Sequence, residues 1–280
     1  MTFPNNLLPE AITWLLLGAT VITAFIQPRY WLHLLVITFA SALYFNNVNF
    51  VGILAISAGL IVSALAKEAK GKWKVACHCL VVMWCLALVL HLIPGFNNLL
   101  VLDKVITGPE SIPFTLYLNL DKPMIFFGLL LLVPTMLGKR RILSSKHVSI
   151  LAISFILLPV VPLVLNLVKP ELSVPSWWWI FALNNLLFTC VAEEALFRGY
   201  IQRLLTQRFN PIIGIGIASL LFGAAHFSGG PLFIVVASLA GLLYGLTYYW
   251  SGKLSYAIAI HFGFNMVHLL FFTYPLANNI

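Results

Sequence analysis

Two adjacent carboxylic acids and an arginine interrupt an apolar run in Val191-Ala-Glu-Glu-Ala-Leu-Phe-Arg198. Greasy sequence flanks them, Ile180 to Cys190 before and Ile212 to Phe222 after. A charge at membrane depth costs about 2.5–3.5 kcal/mol on insertion scales, so such residues are rare and are usually paired or functional. Glu193 and Glu194 are two of only eight acidic residues in the chain. Glu194 and Arg198 stand four apart, in the acid-first order that favours a helical ion pair. That pair can neutralise one carboxylate and leaves Glu193 to be explained. Partners of the kind a carboxylate needs for chemistry follow in later apolar runs: His226, His261 and Asn265.

A carboxylate and His226 can hold a water between them and remove its proton. His261 and Asn265, four apart on one helical face, can donate hydrogen bonds to the oxyanion of a tetrahedral intermediate. This set hydrolyses a peptide bond without a serine or cysteine nucleophile. The same groups admit a metal, since Glu193, His226 and His261 make a catalytic zinc set. Their spacing is not that of zinc-binding helices with two histidines four apart. Two readings of other classes remain. In a proton-coupled transporter Glu193 and the histidines form a relay, and internal pseudo-symmetry is expected, of which the sequence shows none. A non-catalytic immunity or interaction protein would tolerate loss of the glutamates. Phe222, four before His226, can wall a pocket with its ring, and His268 lies near the stripe of His261 and Asn265, packed or lining the cavity.

The elements that must position these groups are membrane helices. Of 280 residues, 61% are hydrophobic and 9% charged, against about 25% charged in soluble domains. Ten spans are expected: Ala11–Gln27, Tyr30–Phe45, Phe50–Ala66, Val75–Ile93, Pro123–Gly138, Val148–Val168, Trp177–Arg198, Pro211–His226, Pro231–Trp250 and Leu254–Thr273. The predicted fold is all-α, a polytopic transmembrane bundle of about ten helices. With the N-terminus outside, thirteen of the sixteen Lys and Arg fall toward the cytoplasm, and only Lys104, Lys122 and Lys169 fall outside. The positive-inside rule therefore explains the net charge of +8 better than nucleic-acid binding does. No Lys or Arg precedes Arg29, so the first apolar run reads as a retained span rather than a signal peptide. Cys77, Cys79, Cys85 and Cys190 read as buried thiols, and His33, His78 and His91 as packed or interfacial.

The chain divides near Lys139-Arg-Arg141, into residues 1–144, helices of unassigned role, and 145–280, where the intramembrane polar residues cluster. The long connection Pro94 to Lys122 is expected to have a job or a fold of its own. Within the second part, Trp177 to Gln207 reads as one helix, Arg208-Phe-Asn210 as a turn, and Pro211 as the start of an antiparallel partner. Glu193 and His226 then lie at similar height, roughly 24–26 Å from the turn. Arg198, Gln202, Arg203, Gln207 and Arg208 are expected to project into the cytoplasmic interface. Gly223, Ala224 and Ala225, with Gly241 and Gly245 in the next helix, allow close helix approach.

Glu193-Glu194-x-x-x-Arg198, Phe222-x-x-x-His226 and His261-x-x-x-Asn265, in that order, resemble the three motifs of the CPBP intramembrane proteases, which include CAAX prenyl endopeptidases and bacterial Abi proteins. The resemblance covers roughly residues 145 to 273. It implies a CPBP-type catalytic core at the C-terminal end, with Glu193 and His226 as the water-activating pair. It also implies His261 and Asn265 at the oxyanion, and Glu194, Arg198 and Phe222 in support. The expected activity is endoproteolysis of a membrane-associated protein or peptide in the lipid bilayer, of glutamic type without a metal, with zinc as the alternative. A multi-pass protein of the bacterial inner membrane is the expected setting.

Overall fold

Long apolar runs become helices because, in lipid, only intrasegment hydrogen bonds can satisfy the backbone. The computed structural model describes Pro9 and residues 11–278, and it is mostly helical. Among the described residues, six helices are long and apolar enough to cross a membrane, and three shorter apolar helices accompany them. The chain is a multi-pass membrane protein. By internal contacts it forms two units.

The first unit holds residues 1–103, 115–134 and 187–192. Helices α1 (Ile12–Ile26), α2 (Trp31–Tyr44), α3 (Phe50–Glu68) and α4 (Gly71–Val89) precede two strands, β1 (Leu99–Val105) and β2 (Phe114–Leu118), and then α5 (Met124–Leu132). Helices α1 and α2 join through hydroxyls, Thr20 to Thr38 at 3.1 Å and Thr13 to Ser41 at 2.9 Å, the interhelical glue available in an apolar medium. Trp84 lies against Gly59 and Gly128, where a Cβ would stand 2.0 and 2.5 Å from its ring. The expected span Pro123–Gly138 is a helix of only nine residues. Pro134 lies two residues past its C-terminal residue Leu132 and cannot continue it, and nearly all of α5 is buried. The connection after α4 departs from an all-helical chain by forming a two-stranded sheet. In Phe114–Leu118, Leu116 and Leu118 are buried while Thr115 and Tyr117 are exposed, the period-two pattern of a strand.

The second unit holds residues 104–114, 135–186 and 193–280. Helices α6 (Ser145–Leu157) and α7 (Val160–Val164) are separated at Pro159. The helix α8 (Trp178–Arg208) runs for 31 residues. Helices α9 (Pro211–Ala224), α10 (Pro231–Ser251) and α11 (Leu254–Phe271) follow. The turn between α8 and α9 is fixed by Asn210, whose Oδ1 accepts from the Ile213 amide at 3.0 Å ahead of Pro211, a standard N-cap. Helices α9 and α10 touch backbone to backbone. A Cβ on Gly223 would stand 1.9 Å from Ser238 Oγ and 2.6 Å from the Ile234 carbonyl oxygen.

Far from the α8–α9 turn, three segments are clasped together by polar contacts. Glu171 accepts from the Glu110 amide at 3.0 Å and from Ser111 Oγ at 2.6 Å. Lys169 pairs with Glu110, and Tyr274 N donates to Ser111 Oγ at 3.0 Å. Residues 104–114 thereby fasten the chain before α8 to the tail after α11.

Two predictions follow from this packing. Gly223→Val should lower thermal stability in detergent by about 1–3 kcal/mol or more, because the added methyls must push α10 away. Gly216→Ala, with open space around its Cβ, should be neutral or stabilising by up to about 1 kcal/mol. In the first unit, His91 Nδ1 lies 2.6 Å from Asp121 Oδ2. That hydrogen bond raises the His91 pKa above its ordinary value, outweighing the opposing effect of partial burial. The pair's contribution is therefore complete below about pH 6.5 and is lost as pH rises through the raised value. His91 is 47% exposed, so solvent screening should keep the effect under about 1 kcal/mol. Melting curves across this range should show the slope in the parent and its loss in Asp121→Asn.

Candidate active site

The motif acids sit on a helix with irregular winding. Residues Asn185–Cys190 and Ala195–Gln202 of α8 are wound as π-helix, on either side of the α-helical turn Val191–Glu194. π turns recur at functional sites because the extra residue re-aims side chains. Two-thirds of the most apolar stretch of α8 is buried inside the protein, so this helix is surrounded by neighbours rather than by lipid. That is the setting in which intramembrane charges can be paired.

Glu194 is fully buried and is the hub. Its Oε1 accepts from Arg198 Nη1 at 2.9 Å and lies 2.9 Å from His261 Nδ1 on α11. Arg198 is also fully buried, and its Nη2 donates to the Gly241 carbonyl on α10 at 2.9 Å. The guanidinium lies 4.5 Å from the Phe222 ring centroid and 5.3 Å from that of Tyr244, a cation–π arrangement that a desolvated arginine favours. One turn on, Gln202 Nε2 donates to the Gly245 carbonyl at 3.0 Å. Arg198 and Gln202 do not project into the cytoplasmic interface as expected. One donor of each reaches a glycine carbonyl of α10, which the small residues allow. Gln207 and Arg208, farther along, are exposed.

Glu193 keeps 14% of its side-chain surface, and its Oε2 lies 3.9 Å from His261 Nε2. The two nitrogens of one imidazole thus face the two neighbouring carboxylates. Tyr244 stacks on that imidazole at 4.5 Å and 15°. Asn265, one turn beyond His261, donates from Nδ2 to Asn185 Oδ1 at 3.1 Å. His226 does not lie within its helix: α9 ends at Ala224 and the histidine occupies the turn beyond. Its Nδ1 lies 2.8 Å from the Phe222 carbonyl oxygen. A carbonyl can only accept, so Nδ1 carries a proton and Nε2 is left outside this bond. The Phe222 ring stands 4.7 Å from His226 and 5.5 Å from His261, and so forms a wall common to both.

His226, His261, Asn265, His268, Phe222 and Tyr244 line one pocket of about 660 Å³, open mouth included. Apolar side chains make up most of the remaining wall, among them Phe233, Val236 and Phe264. Glu193 is not in that lining and meets the group through His261. His268 both lines the pocket and packs edge-on against Tyr274 at 5.0 Å. Sequence reasoning missed Asn185 and Tyr244. Asn185 was visible as an amide in an apolar run eight residues before Glu193. Tyr244 had no signal beyond its place between Gly241 and Gly245.

The zinc alternative requires three converging donors. Glu194 and the Phe222 carbonyl occupy the Nδ1 atoms, as they do behind metal-bound histidines. Among the described residues, however, no three His, Cys, Asp or Glu side chains gather at metal-binding distances. Glu193, His226 and His261 are not gathered as a three-donor set in this arrangement.

Residues 175–267 match the family model described as type II CAAX prenyl endopeptidase Rce1-like. The match covers about a third of the chain and contains all three polar motifs. Comparisons with curated proteins and with solved structures gave no match. Residues 175–267, the polar core of a multi-pass helical protein, are thus similar to the CAAX-protease (CPBP) family of membrane endopeptidases.

Proposed function

We infer that this protein hydrolyses a peptide bond of a membrane-associated protein or peptide, using a water activated by Glu193 and His226 without a metal. The observation that carries this reading is the meeting of three helices at His261, between Glu193 and Glu194, with Phe222 joining it to His226. The family match supports proteolysis in general.

In this mechanism the water oxygen attacks the scissile carbonyl carbon as its proton passes to the Glu193–His226 pair. The carbonyl oxygen becomes an oxyanion, which receives hydrogen bonds from His261 and Asn265. With Glu194 engaging Nδ1, a doubly protonated His261 has its Nε2–H left for that oxygen. Collapse of the intermediate breaks the C–N bond, and the stored proton passes to the departing amine. Glu194 and Arg198 hold His261 in orientation, and the largely apolar pocket accepts apolar substrate residues. The setting proposed is the bacterial inner membrane, with the basic loops on the cytoplasmic side.

The test is cleavage of a membrane-anchored candidate substrate in proteoliposomes, the substrate being chosen from membrane proteins that are no longer shortened in a deletion strain. Glu193→Ala and His226→Ala should each lower kcat by about 10²–10⁴, and Asn265→Ala by about 10²–10³. Metal chelators should leave the parent's rate unchanged. Full turnover in both Glu193→Ala and His226→Ala removes the catalytic assignment, and chelator inactivation reversed by zinc removes the metal-free one.

A further inference from the structure

A rigid basic loop lies at the opposite end of the second unit from the clasp on Glu171. Residues 138–141 run beside the α10–α11 junction. Leu254 N donates to the Leu137 carbonyl at 3.1 Å, and Arg141 N to the Ser251 carbonyl at 2.7 Å. Gly138 and Gly252 make this approach possible. Both have positive φ, +73° and +71°, and a Cβ on Gly138 would stand 1.9 Å from the Gly252 carbonyl oxygen. Arg141 Nη1 adds a bond to the Tyr249 carbonyl at 3.3 Å. The backbone therefore holds Lys139, Arg140 and Arg141 in place, with Lys146 nearby in sequence and Lys253 bridged to Gly138; Lys139, Arg140, Arg141 and Lys146 are exposed.

No acid answers these cations. The four glutamates of this unit are Glu110 and Glu171 in the clasp and Glu193 and Glu194 in the site. Among the described residues, none of Lys139, Arg140, Arg141, Lys146 and Lys253 forms an ion pair. Three candidate spans end here, at Ser145, Ser251 and Leu254, which puts the loop at headgroup level. Ile142, directly after the basic triplet, is 99% exposed, an arrangement that is costly in water but suited to the boundary between headgroups and acyl chains. His147 stacks on Trp250 at 4.4 Å and 16°, and Trp is a common interfacial residue.

We propose that the loop 138–142, fastened to the α10–α11 junction, is a binding site for anionic phospholipid headgroups, with Lys139, Arg140 and Arg141 on the phosphates and Ile142 among the acyl chains. An acidic protein partner would satisfy the cations but gives Ile142 no apolar medium, which favours the lipid. The site does not depend on the proteolytic reading.

The experiment uses the purified full chain in neutral detergent, titrated with phosphatidylglycerol or phosphatidylcholine, with retained lipid counted by native mass spectrometry. The parent should retain phosphatidylglycerol over phosphatidylcholine, less so at about 0.5 M salt, where charge interactions are screened. K139Q/R140Q/R141Q should reduce phosphatidylglycerol retention by at least about tenfold, since each basic residue contributes a several-fold factor. Ile142→Ser should reduce it by a smaller factor, and provides a second reading if the triple variant is not monodisperse. Equal retention of the two lipids by the parent overturns the proposal. So does full phosphatidylglycerol retention by the monodisperse triple variant, or by Ile142→Ser where the triple variant does not fold. A triple variant that keeps the lipid but loses binding of a polyglutamate peptide assigns the loop to an acidic partner instead.

Discussion

The second unit depends on one buried ion pair. Arg198 and Glu194 have no exposed surface, and burying either alone would cost several kcal/mol. Each has further partners. Arg198 reaches the Gly241 carbonyl and two aromatic faces, and Glu194 engages His261. The pair therefore links α8, α10 and α11 at one point, and removing either member would leave an uncompensated charge at the centre of the unit. It also orients the imidazole that faces Glu193.

Small residues make that linkage possible. A Cβ on Gly241 would stand 3.3 Å from Arg198 Nη2, and one on Gly245 would stand 2.8 Å from Gln202 Oε1. The same spacing of four residues on α8 and on α10 aligns two side-chain donors with two carbonyls. Without a hydrophobic driving force between helices in lipid, this close packing and these hydrogen bonds are what holds α8 in place. The π-wound segments then set which side chains of α8 face the site and which face its neighbours.

The adjacent acids differ in their surroundings. Glu194 is sealed and bonded, whereas Glu193 keeps some surface and stands a wide contact from His261. The pocket's apolar wall surrounds the histidines and Asn265 with a medium in which their hydrogen bonds are stronger than in water.

The sequence by itself determined the membrane class, through its apolar runs, and singled out the intramembrane polar residues, through their rarity among them. It also determined the turn between α8 and α9, because Asn210-Pro211 is a local cap signal, and the shared face of His261 and Asn265, because four residues make one helical turn. Only the tertiary structure decided that Arg198 and Gln202 lie inside rather than at the interface, since that depends on glycine carbonyls more than forty residues away. It decided that His226 stands beyond the end of its helix and that α8 is wound with π turns. It also decided that Asn185 and Tyr244 join the site and that the connection after α4 forms two strands. Local patterns fix periodicity and caps; which buried group meets which is settled by helices that are distant in sequence.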